Sequence, residues 1–375
     1  MSNFAFQNLI MPFAENNARL LRTLAVPVTP FYAVAMLVRN RLFDRGILRS
    51  ETFPFPLICV GNLCAGGSGK TPMTEYLVRL LSPTCHVGVV SRGYGRKTQG
   101  NLLATDNMTA SQIGDEPMQY LQKFGHLPQG FTLYIAKDRC QGIAELKAHA
   151  PDCRAVILDD AYQHRRVRAG LNILLTEYRK PYFSDYLLPI GNLRESRAGS
   201  RRAQIIVVTK CPPDLSQEQK QAFLKRCKPQ PGQQVFFSRI AYEAIKPVKD
   251  AQTFVPENGV VLFSGIANPA PIEEHLQSQG IPLRHHFRFG DHHEYSRQDL
   301  MRLERACRQD KNTCREDRTA CLLTTEKDFA RLAGHPDLGI LAGIPLCVLP
   351  MRIEFLFGEA KTFDDRITEY INKNK

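Results

Sequence analysis

The sequence lacks the residue spacings that define several common kinds of site. Its 11 cysteines include no Cys-x-x-Cys pair and no Cys/His ligand spacing. Cys307, Cys314 and Cys321 recur every seven residues, without the clustered pairs that a soft-metal site needs. We therefore expect reduced thiols that pack as small hydrophobic residues, and no structural metal site or disulfide framework.

Lysine-rich arms and the recognisable nucleic-acid motifs (finger, RRM or KH) are also missing, although the chain is strongly basic. Its net charge is +12 and its isoelectric point is about 9.2. A basic protein attracts nucleic acid, anionic lipid or phosphorylated ligands. Here the basic residues are mostly arginines scattered among apolar segments. The pattern favours phosphorylated ligands or lipid, and we expect no nucleic-acid partner.

No apolar run is long enough to span a bilayer. The longest one near the N terminus, Leu24 to Val38, has about 15 residues, whereas a spanning helix needs about 20. It contains two prolines and no small-residue cleavage site, so a signal peptide is not indicated. Arginines on both sides favour a segment, residues 20–45, that lies in a membrane interface. A core helix of the first domain is the alternative.

Apolar runs alternate with helical patterns along most of the chain, which indicates βαβ units and a parallel sheet. The fold class we predict is α/β: a P-loop NTPase-like parallel-sheet domain with a smaller second α/β domain. A polar, proline-containing stretch at 212–232 suggests the boundary. We predict a membrane-associated segment at 1–50, a kinase domain at 51–232 and a second domain at 233–375. Extended runs at 235–242 and 347–357 are predicted to pair as a hinge.

Residues 57–74, LICVGNLCAGGSGKTPMT, read as a strand, a glycine-rich turn and the start of a helix. Backbone N–H groups in such a loop converge on a phosphate, and the helix N terminus adds positive potential. Lys70 is predicted to reach the β- and γ-phosphates and to act in catalysis, and Thr71 to bind Mg²⁺. Cys64 stands where the usual motif has its first glycine. The predicted nucleotide-binding residues are Cys64, Ala65, Gly66, Gly67, Ser68, Gly69, Lys70 and Thr71.

Two pairs of acidic residues are candidates for metal binding or proton transfer. Asp159 and Asp160 follow the apolar run Ala155–Leu158, an arrangement typical of a Walker B strand end. Asp115 and Glu116 precede a proline, so they fit helix caps as well as a base and a metal ligand. The residue pattern alone leaves both interpretations of the second pair open.

Motifs for zinc proteolysis and for guanine recognition do not occur. His292 and His293 are adjacent and cannot share a helix face, which excludes a HExxH-type site. The segments Thr209–Pro212 and Thr325–Asp328 both fail to match the Asn-Lys-x-Asp motif of GTPases. We therefore expect ATP rather than GTP. A histidine in the second domain would orient a base or contact a phosphate.

Ten segments in order resemble one family, the tetraacyldisaccharide 4′-kinases of lipid A biosynthesis. They cover about residues 20–330 and, after the Arg-flanked apolar segment, read VGNLCAGGSGKTP, SRGYGR, GDEP, DR, DDAYQH, LPIGNLRE, FSGIANP, FGDHHEY and TTEKD. The resemblance implies transfer of the γ-phosphoryl group of ATP to the 4′-hydroxyl of a lipid-linked glucosamine disaccharide. It also implies a location at the cytoplasmic face of the bacterial inner membrane, peripheral or monotopic.

The resemblance also assigns roles to residues of this chain. It implies that Asp115 is the base, assisted by His292, and that Glu116 and Asp159 hold Mg²⁺ together with Thr71. Whether Glu116 or Asp160 is the second ligand stays open. The positions expected to line the nucleotide or sugar site are Tyr94, Arg139, Gln163, His164 and Arg194.

The chain departs from the family pattern at two places. Ala161 and Tyr162 stand where Gly-Phe is common, and Gln204 replaces a usual acidic residue. An alternative function is a membrane-recruited P-loop ATPase that acts as a switch or partitioning protein. Such a protein needs neither a base for an acceptor hydroxyl nor a histidine on a second domain.

Overall fold

The computed structural model describes residues 29–248, 259–309 and 320–374, with Pro27 and Val255 in addition. The chain folds into two compact units, each assembled from separate stretches. The first unit joins the chain up to Thr74 with Ala155–Arg239 and the chain from Glu354 onward. The second joins Glu75–Arg154 with Ile240–Ile353.

The helices and strands follow each other in an α/β order. The elements are α1 (Thr29–Asp44), β1 (Leu57–Asn62), α2 (Lys70–Leu81), β2 (Val87–Ser91), β3 (Leu102–Leu103), α3 (Ala110–Ile113), α4 (Asp115–Phe124), β4 (Phe131–Ile135), α5 (Arg139–His149), β5 (Ala155–Asp159), β6 (Leu171–Glu177), β7 (Ile205–Thr209), α6 (Gln217–Cys227), β8 (Gln234–Tyr242), β9 (Lys246–Pro247), β10 (Val260–Ser264), α7 (Ala270–Ser278), β11 (Leu283–Arg288), α8 (Arg297–Gln309), β12 (Cys321–Thr325), α9 (Glu326–Leu332), β13 (Leu346–Leu349), β14 (Met351–Phe355) and α10 (Ala360–Lys373).

The first unit is built on a parallel sheet in which β5, β1, β6, β7 and β8 are neighbours in that order, with β14 beside β8. Strands β1, β5 and β7 are buried along their whole length. Continuous apolar runs are what a sheet covered on both faces requires. Gly61 in β1 lies so close to Tyr162 that an added Cβ would come within 2.6 Å of the Tyr162 Cβ. The strand that leads into the glycine-rich loop therefore packs tightly against the turn after β5.

The second unit contains two groups of strands. Strands β2 and β4 are parallel, with β3 antiparallel to β4. A five-stranded sheet has the order β11-β10-β12-β13-β9, parallel except for β9. Two apolar clusters pack on this sheet, one around Phe263 and Leu303 and the other around Leu262 and Leu276. This sheet and its helices form the core that carries α9 and the loop after β11.

The α/β fold class predicted from the sequence is confirmed. Of the second extended run, β14 lies beside β8 in the sheet as predicted, whereas β13 belongs to the five-stranded sheet. The role of these runs as a hinge stays a prediction. The division into consecutive domains at residues 50 and 232 stays a prediction. Within residues 29–248, 259–309 and 320–374, no helix is both long and apolar enough to cross a bilayer.

Candidate active site

The glycine-rich loop after β1 is held at both of its sides. Gly66 and Gly69 have φ angles of 115° and 86°, a region that glycine enters without a steric penalty. The Asn62 side-chain amide donates to Ser68 Oγ at 2.7 Å. The carbonyl of Ser68 accepts from Thr209 Oγ1 at 2.9 Å. The loop is thus pre-shaped at the N terminus of α2, the arrangement that binds a phosphate.

Charged side chains converge beside this loop. Lys70 Nζ lies 3.7 Å from Asp160 Oδ1 and 3.5 Å from the Gly66 carbonyl. Arg194 Nη1 donates to both Asp160 oxygens, at 3.2 and 3.3 Å. Asp160 has a φ of 46°, a left-handed conformation that non-glycine residues rarely adopt outside turns and functional sites. Two cations, Lys70 and Arg194, are thus held beside the loop by one carboxylate.

Asp159 is placed beside the loop by strand pairing. Its Cα is the register partner of Val60 in β1, and the residue is 6% exposed at the end of β5. Thr71 follows Lys70 in the first turn of α2. Carboxylate and hydroxyl oxygens are the hard donors that Mg²⁺ prefers. The residues of the first unit predicted to hold Mg²⁺ therefore fit that ion by their chemistry and by the elements that carry them.

Gln163 is not free to turn toward a ligand without breaking two bonds. Its Nε2 donates to the Asn62 carbonyl at 2.7 Å and to Glu195 Oε1 at 3.1 Å. The backbone N–H of His164 donates to the Ala161 carbonyl at 2.8 Å. Both residues thus lie in the tight turn that follows the aspartate pair. Their predicted contact with substrate stays a prediction.

Glu195 is a functional candidate that the sequence analysis did not single out. It is 1% exposed and accepts from Arg202 through both oxygens, at 2.8 and 2.9 Å, and from Asn40 Nδ2 at 3.2 Å. A buried carboxylate is stable only when it is paired in this way. The signal in the sequence was the acid directly after Arg194 in LPIGNLRE.

Helix α1 is bonded to the same loops. Tyr32 OH donates to the Arg194 carbonyl at 2.6 Å, and Arg39 Nη2 donates to the Gln163 carbonyl at 2.9 Å. Together with the hydrogen bond from Asn40 to Glu195, these contacts determine which face of α1 packs against the loops. The helix is therefore part of the structure around the phosphate loop.

Cys64, the residue in place of the first glycine, pairs with Leu193 as an isolated antiparallel bridge. Burial, with a further contribution from the nearby Asp185 carboxylate, raises the pKa of its thiol to about 11. The thiol is protonated at neutral pH and is a poor nucleophile. Cys64 therefore contributes to the conformation of the loop and not to the chemistry.

The second unit contains an acid–histidine cluster. Asp115 begins α4 after Gly114, whose φ of 101° makes the turn into the helix. Asp115 Oδ2 lies 2.8 Å from His292 Nδ1. His292 itself has a φ of 60°, and its Nε2 lies 3.4 Å from Lys327 Nζ. Since the helix cap is Gly114 and the Asp115 carboxylate faces His292, the geometry favours the chemical interpretation of this acid over capping.

Two basic residues that the sequence analysis did not assign complete this cluster. Arg331 Nε donates to Asp115 Oδ2 at 2.8 Å. Lys327 Nζ lies 3.4 Å from Glu116 Oε1. The motif TTEKD contained Lys327, but only as a family landmark. No local pattern in the sequence indicated that Lys327 and Arg331, both on α9, would contact these acids.

Tyr94 and Arg139, also in the second unit, differ in accessibility. Tyr94 is 69% exposed, and its ring centroid lies 6.0 Å from that of His292. Arg139 is 2% exposed at the start of α5, and its guanidinium donates to the Ala136 carbonyl. The exposed ring suits contact with a sugar, whereas the buried guanidinium supports the loop after β4.

The fold and the loop define a class: a P-loop nucleotide-binding protein with acidic residues at the adjacent strand end, the framework of many phosphotransferases. The family model described as tetraacyldisaccharide-1-P 4′-kinase matches residues 21–372. The chain belongs to this family.

Curated relatives and a solved structure agree with that assignment. The chain is 40% identical over 362 residues to the tetraacyldisaccharide 4′-kinase of Bacteroides thetaiotaomicron, covering 93% of each chain. It is also 40% identical to the enzyme of the same name from Flavobacterium johnsoniae, covering 95% of this chain and 98% of that one. A crystal structure of LpxK from Aquifex aeolicus in complex with ATP is similar with a TM-score of 0.71 and 27% identity. That match covers 94% of this chain and 99% of the other.

Proposed function

We propose that this protein transfers the γ-phosphoryl group of ATP to the 4′-hydroxyl of a tetraacyldisaccharide 1-phosphate lipid, the step that forms lipid IVA in lipid A biosynthesis. The observation that carries the proposal is the pre-shaped loop from Cys64 to Thr71 with Lys70, Asp160 and Arg194 beside it. Membership of the kinase family and relatives that match over most of both chains support the substrate.

The first unit supplies the groups that bind ATP. The amides of the glycine-rich loop and the N terminus of α2 hold the phosphates, and Lys70 neutralises charge on the β- and γ-phosphates. Arg194 adds a second cation, which is fixed in place by its bonds to Asp160. Phosphoryl transfer depends mainly on such positioning and charge stabilisation. The first unit therefore provides most of the groups that position the phosphoryl group and stabilise its charge.

The second unit supplies the groups that act on the acceptor. The 4′-hydroxyl oxygen attacks the γ-phosphorus, the bond between that phosphorus and the bridging oxygen breaks, and ADP leaves. The Asp115 carboxylate takes the hydroxyl proton as general base. His292, 2.8 Å from Asp115 through Nδ1, orients that carboxylate. Tyr94 offers an exposed ring for the sugar, and the remaining proposed substrate-site residues are Arg139, Gln163, His164 and Arg194.

Magnesium belongs to the proposed chemistry as a charge-neutralising ion on the ATP phosphates when it is bound. In the first unit, the oxygen donors that would hold it are those of Thr71 and Asp159; Glu116, in the second unit, stays a ligand that the resemblance implies. Thr71 and Asp159 come from the start of α2 and the end of β5. Glu116 is 24% exposed at its side chain and keeps an oxygen 3.4 Å from Lys327.

We also propose that α1 attaches the protein to a membrane surface. Its apolar residues with the most exposed side chains lie one or two helical turns apart: Phe31 (77% exposed), Val34 (58%) and Val38 (50%). The opposite face is held by bonds from Tyr32, Arg39 and Asn40 to the site loops. A helix with one exposed apolar face suits burial in a bilayer interface, where arginines contact lipid phosphates. The location we propose is the cytoplasmic face of the bacterial inner membrane.

The predicted membrane-associated segment extends beyond these residues. Of this segment, predicted at 1–50, residues 1–26 and residue 28 lie outside the described ranges. The proposal therefore depends on the exposed face of α1. A membrane-recruited ATPase switch, the alternative function, is not favoured by the family to which the chain belongs.

The substitution Asp115→Asn tests the proposed function. Because asparagine keeps the size of the side chain but cannot accept the proton, we expect kcat for lipid phosphorylation to fall by roughly 10²–10⁴-fold. The dissociation constant for ATP should stay within about twofold of the wild-type value, since Asp115 is not among the proposed ATP-binding residues. The measurements are single-turnover transfer to the lipid and ATP titration by calorimetry.

Asp152→Asn is the matched control. Asp152 also pairs with a histidine, His86, at 2.8 Å in the same unit, and its side chain is 73% exposed. We expect that variant to keep wild-type transfer. Undiminished transfer by Asp115→Asn would refute the assignment of the base.

A further inference from the structure

We propose that Arg331 and Lys327, four residues apart on α9, are positioning residues that hold Asp115, Glu116 and His292 in their reactive arrangement. The inference rests on the proposed function, in which Asp115 is the base. It adds a third segment, helix α9, to the two that carry the acids and the histidine. Residues at i and i+4 lie on the same face of a helix, so the side chains of Lys327 and Arg331 project from the same side of α9.

Arg331 is anchored before it reaches Asp115. Its side chain is 7% exposed, and its Nη1 donates to Asp328 Oδ1 at 2.9 Å and to the Gly265 carbonyl at 3.1 Å. Asp328 is fully buried and accepts from the Gly265 N–H at 3.1 Å and from Thr325 Oγ1 at 2.7 Å. These bonds leave Nε aimed at Asp115. The guanidinium is therefore a cation whose position is fixed by buried hydrogen bonds.

The two contacts that hold the Asp115 carboxylate fall on the same oxygen. Among the residues that the structure describes, Arg331 Nε and His292 Nδ1 both bind Oδ2, each at 2.8 Å. That arrangement leaves Oδ1 for the acceptor hydroxyl. When the proton moves from the hydroxyl oxygen to Oδ1, Arg331 keeps its own charge and its bond to Oδ2. Arg331 therefore sets the rotation of the carboxylate and the oxygen that reacts.

Lys327 acts on the other two members of the cluster. Its Nζ lies 3.4 Å from Glu116 Oε1, 3.4 Å from His292 Nε2 and 3.7 Å from Asp291 Oδ1. Arg331 Nη2 also lies 3.3 Å from His292 Nδ1. The imidazole thus has a basic group beside each ring nitrogen and a carboxylate at Nδ1. His292 has a left-handed backbone conformation, which a non-glycine residue keeps only where its surroundings hold it. The contacts of its ring help to hold that conformation.

The burial of Arg331 argues against a purely surface role. Exposed ion pairs contribute little to folding, and many can be removed without effect. Arg331 is buried, and it contacts the one acid that the proposed reaction uses. The planar guanidinium of arginine also presents its donors in a fixed fork, a geometry that the compact ammonium of lysine does not reproduce. We therefore expect the chemical step to be more sensitive than folding to its replacement.

The test compares the purified full-length variants Arg331→Met, Arg331→Lys, Arg331→Ala and Lys327→Met with wild type. The assay uses ATP, Mg²⁺ and tetraacyldisaccharide 1-phosphate in detergent micelles, with kcat expressed per folded protein. We expect Arg331→Met to lower kcat at least tenfold while KM for ATP changes less than twofold. Arg331→Lys should recover part of the loss, and ethylguanidinium should partly rescue Arg331→Ala. Lys327→Met should lower kcat at least fivefold.

Arg308→Met is the matched control, since Arg308 pairs with Glu304 on α8 in the same unit, away from the cluster. It should keep kcat within twofold of wild type. The inference is overturned if Arg331→Met keeps kcat within twofold per folded protein, or if its loss lies wholly in KM for ATP. Failure of rescue in Arg331→Ala by ethylguanidinium, with wild-type folding, would also contradict it.

Asp115→Asn in the same assay separates this inference from the proposed function. If Asp115→Asn is inactive and Arg331→Met is fully active, only the positioning role is wrong. If Asp115→Asn is fully active, the assignment of the base fails, and with it the ground for this inference.

Discussion

Single residues at the site adopt conformations that sequence preference alone does not favour. Asp160 and His292 have φ angles of 46° and 60°. Each is held by ion pairs or hydrogen bonds: Asp160 by Lys70 and Arg194, and His292 by Asp115. Strained residues persist only where their surroundings over-determine them, and they occur often at functional sites. The two positions lie in the two groups of residues to which we assign ATP binding and proton transfer.

A buried acid in the second unit makes a pH-dependent prediction. Glu75 is 1% exposed, and its pKa is raised, chiefly by burial, with the Glu326 carboxylate adding to the rise and Lys123 opposing it. Its ion pair with Lys123 has a distance of 2.6 Å. A raised pKa means that the folded protein holds this proton after the unfolded chain has released it. The free energy of unfolding therefore falls as pH rises from the ordinary glutamate range through the raised pKa.

We expect the variant Glu75→Gln to lose this dependence, because an amide stays neutral. Relative to wild type, its free energy of unfolding should rise with pH across that window, by up to about 1.4 kcal/mol per pH unit. Urea unfolding at a series of pH values measures the difference. Glu304→Gln, which changes an ion-paired glutamate on α8, should show no comparable trend. A constant difference between Glu75→Gln and wild type would contradict the assignment.

The sequence predicts the residues of the site that belong to local motifs, but not those that reach the site from a distant part of the chain. Lys70, Thr71, Asp159 and Asp160 follow from the spacing of one loop and one strand end, which are local patterns. Arg331 contacts Asp115 across 216 positions of the chain. Long-range partners of this kind depend on the completed fold, so no local pattern indicates them.

At the level of elements, the sequence predicts buried strands best. The apolar run Ala155–Leu158 forms β5, which ends one residue later at Asp159, since a fully buried parallel strand is an uninterrupted apolar run. Helix α2 begins at Lys70, within the stretch that predicted the start of a helix after the glycine-rich turn. A phosphate-binding turn leads directly into a helix N terminus, so this boundary can also be predicted from the sequence.

Helix α1 carries a prediction about membrane binding. The double variant Phe31→Glu/Val38→Glu places charge on its exposed apolar face, whereas the inward bonds of Tyr32 and Asn40 stay intact. We expect the fraction that sediments with phosphatidylglycerol-containing vesicles to fall at least tenfold, because charged side chains do not enter the apolar part of the interface. ATP affinity should stay within twofold.

Met301→Glu is the control for that experiment, since Met301 on α8 is 37% exposed and apolar but lies on a helix to which we assign no membrane contact. It should bind vesicles as wild type does. Equal loss of binding in both variants, or none in the double variant, would contradict attachment through α1.

At the scale of the whole molecule, each unit joins stretches that are distant in the sequence. A reading along the chain divides it into consecutive domains, because composition reports neighbours in sequence rather than neighbours in space. The class of fold is nevertheless predictable, since the alternation of strands and helices is preserved along the chain. The family resemblance carried by ten ordered motifs is confirmed by the family match over residues 21–372.

The central claim is that ATP is used for transfer to a lipid hydroxyl rather than for hydrolysis. The most direct measurement incubates the purified wild-type chain with γ-³²P-labelled ATP, Mg²⁺ and tetraacyldisaccharide 1-phosphate in detergent micelles. We expect the label to appear in the lipid in proportion to the ADP formed, and Asp115→Asn to lower the rate of lipid labelling by roughly 10²–10⁴-fold. Release of labelled inorganic phosphate without labelled lipid would contradict the claim and favour an ATPase switch.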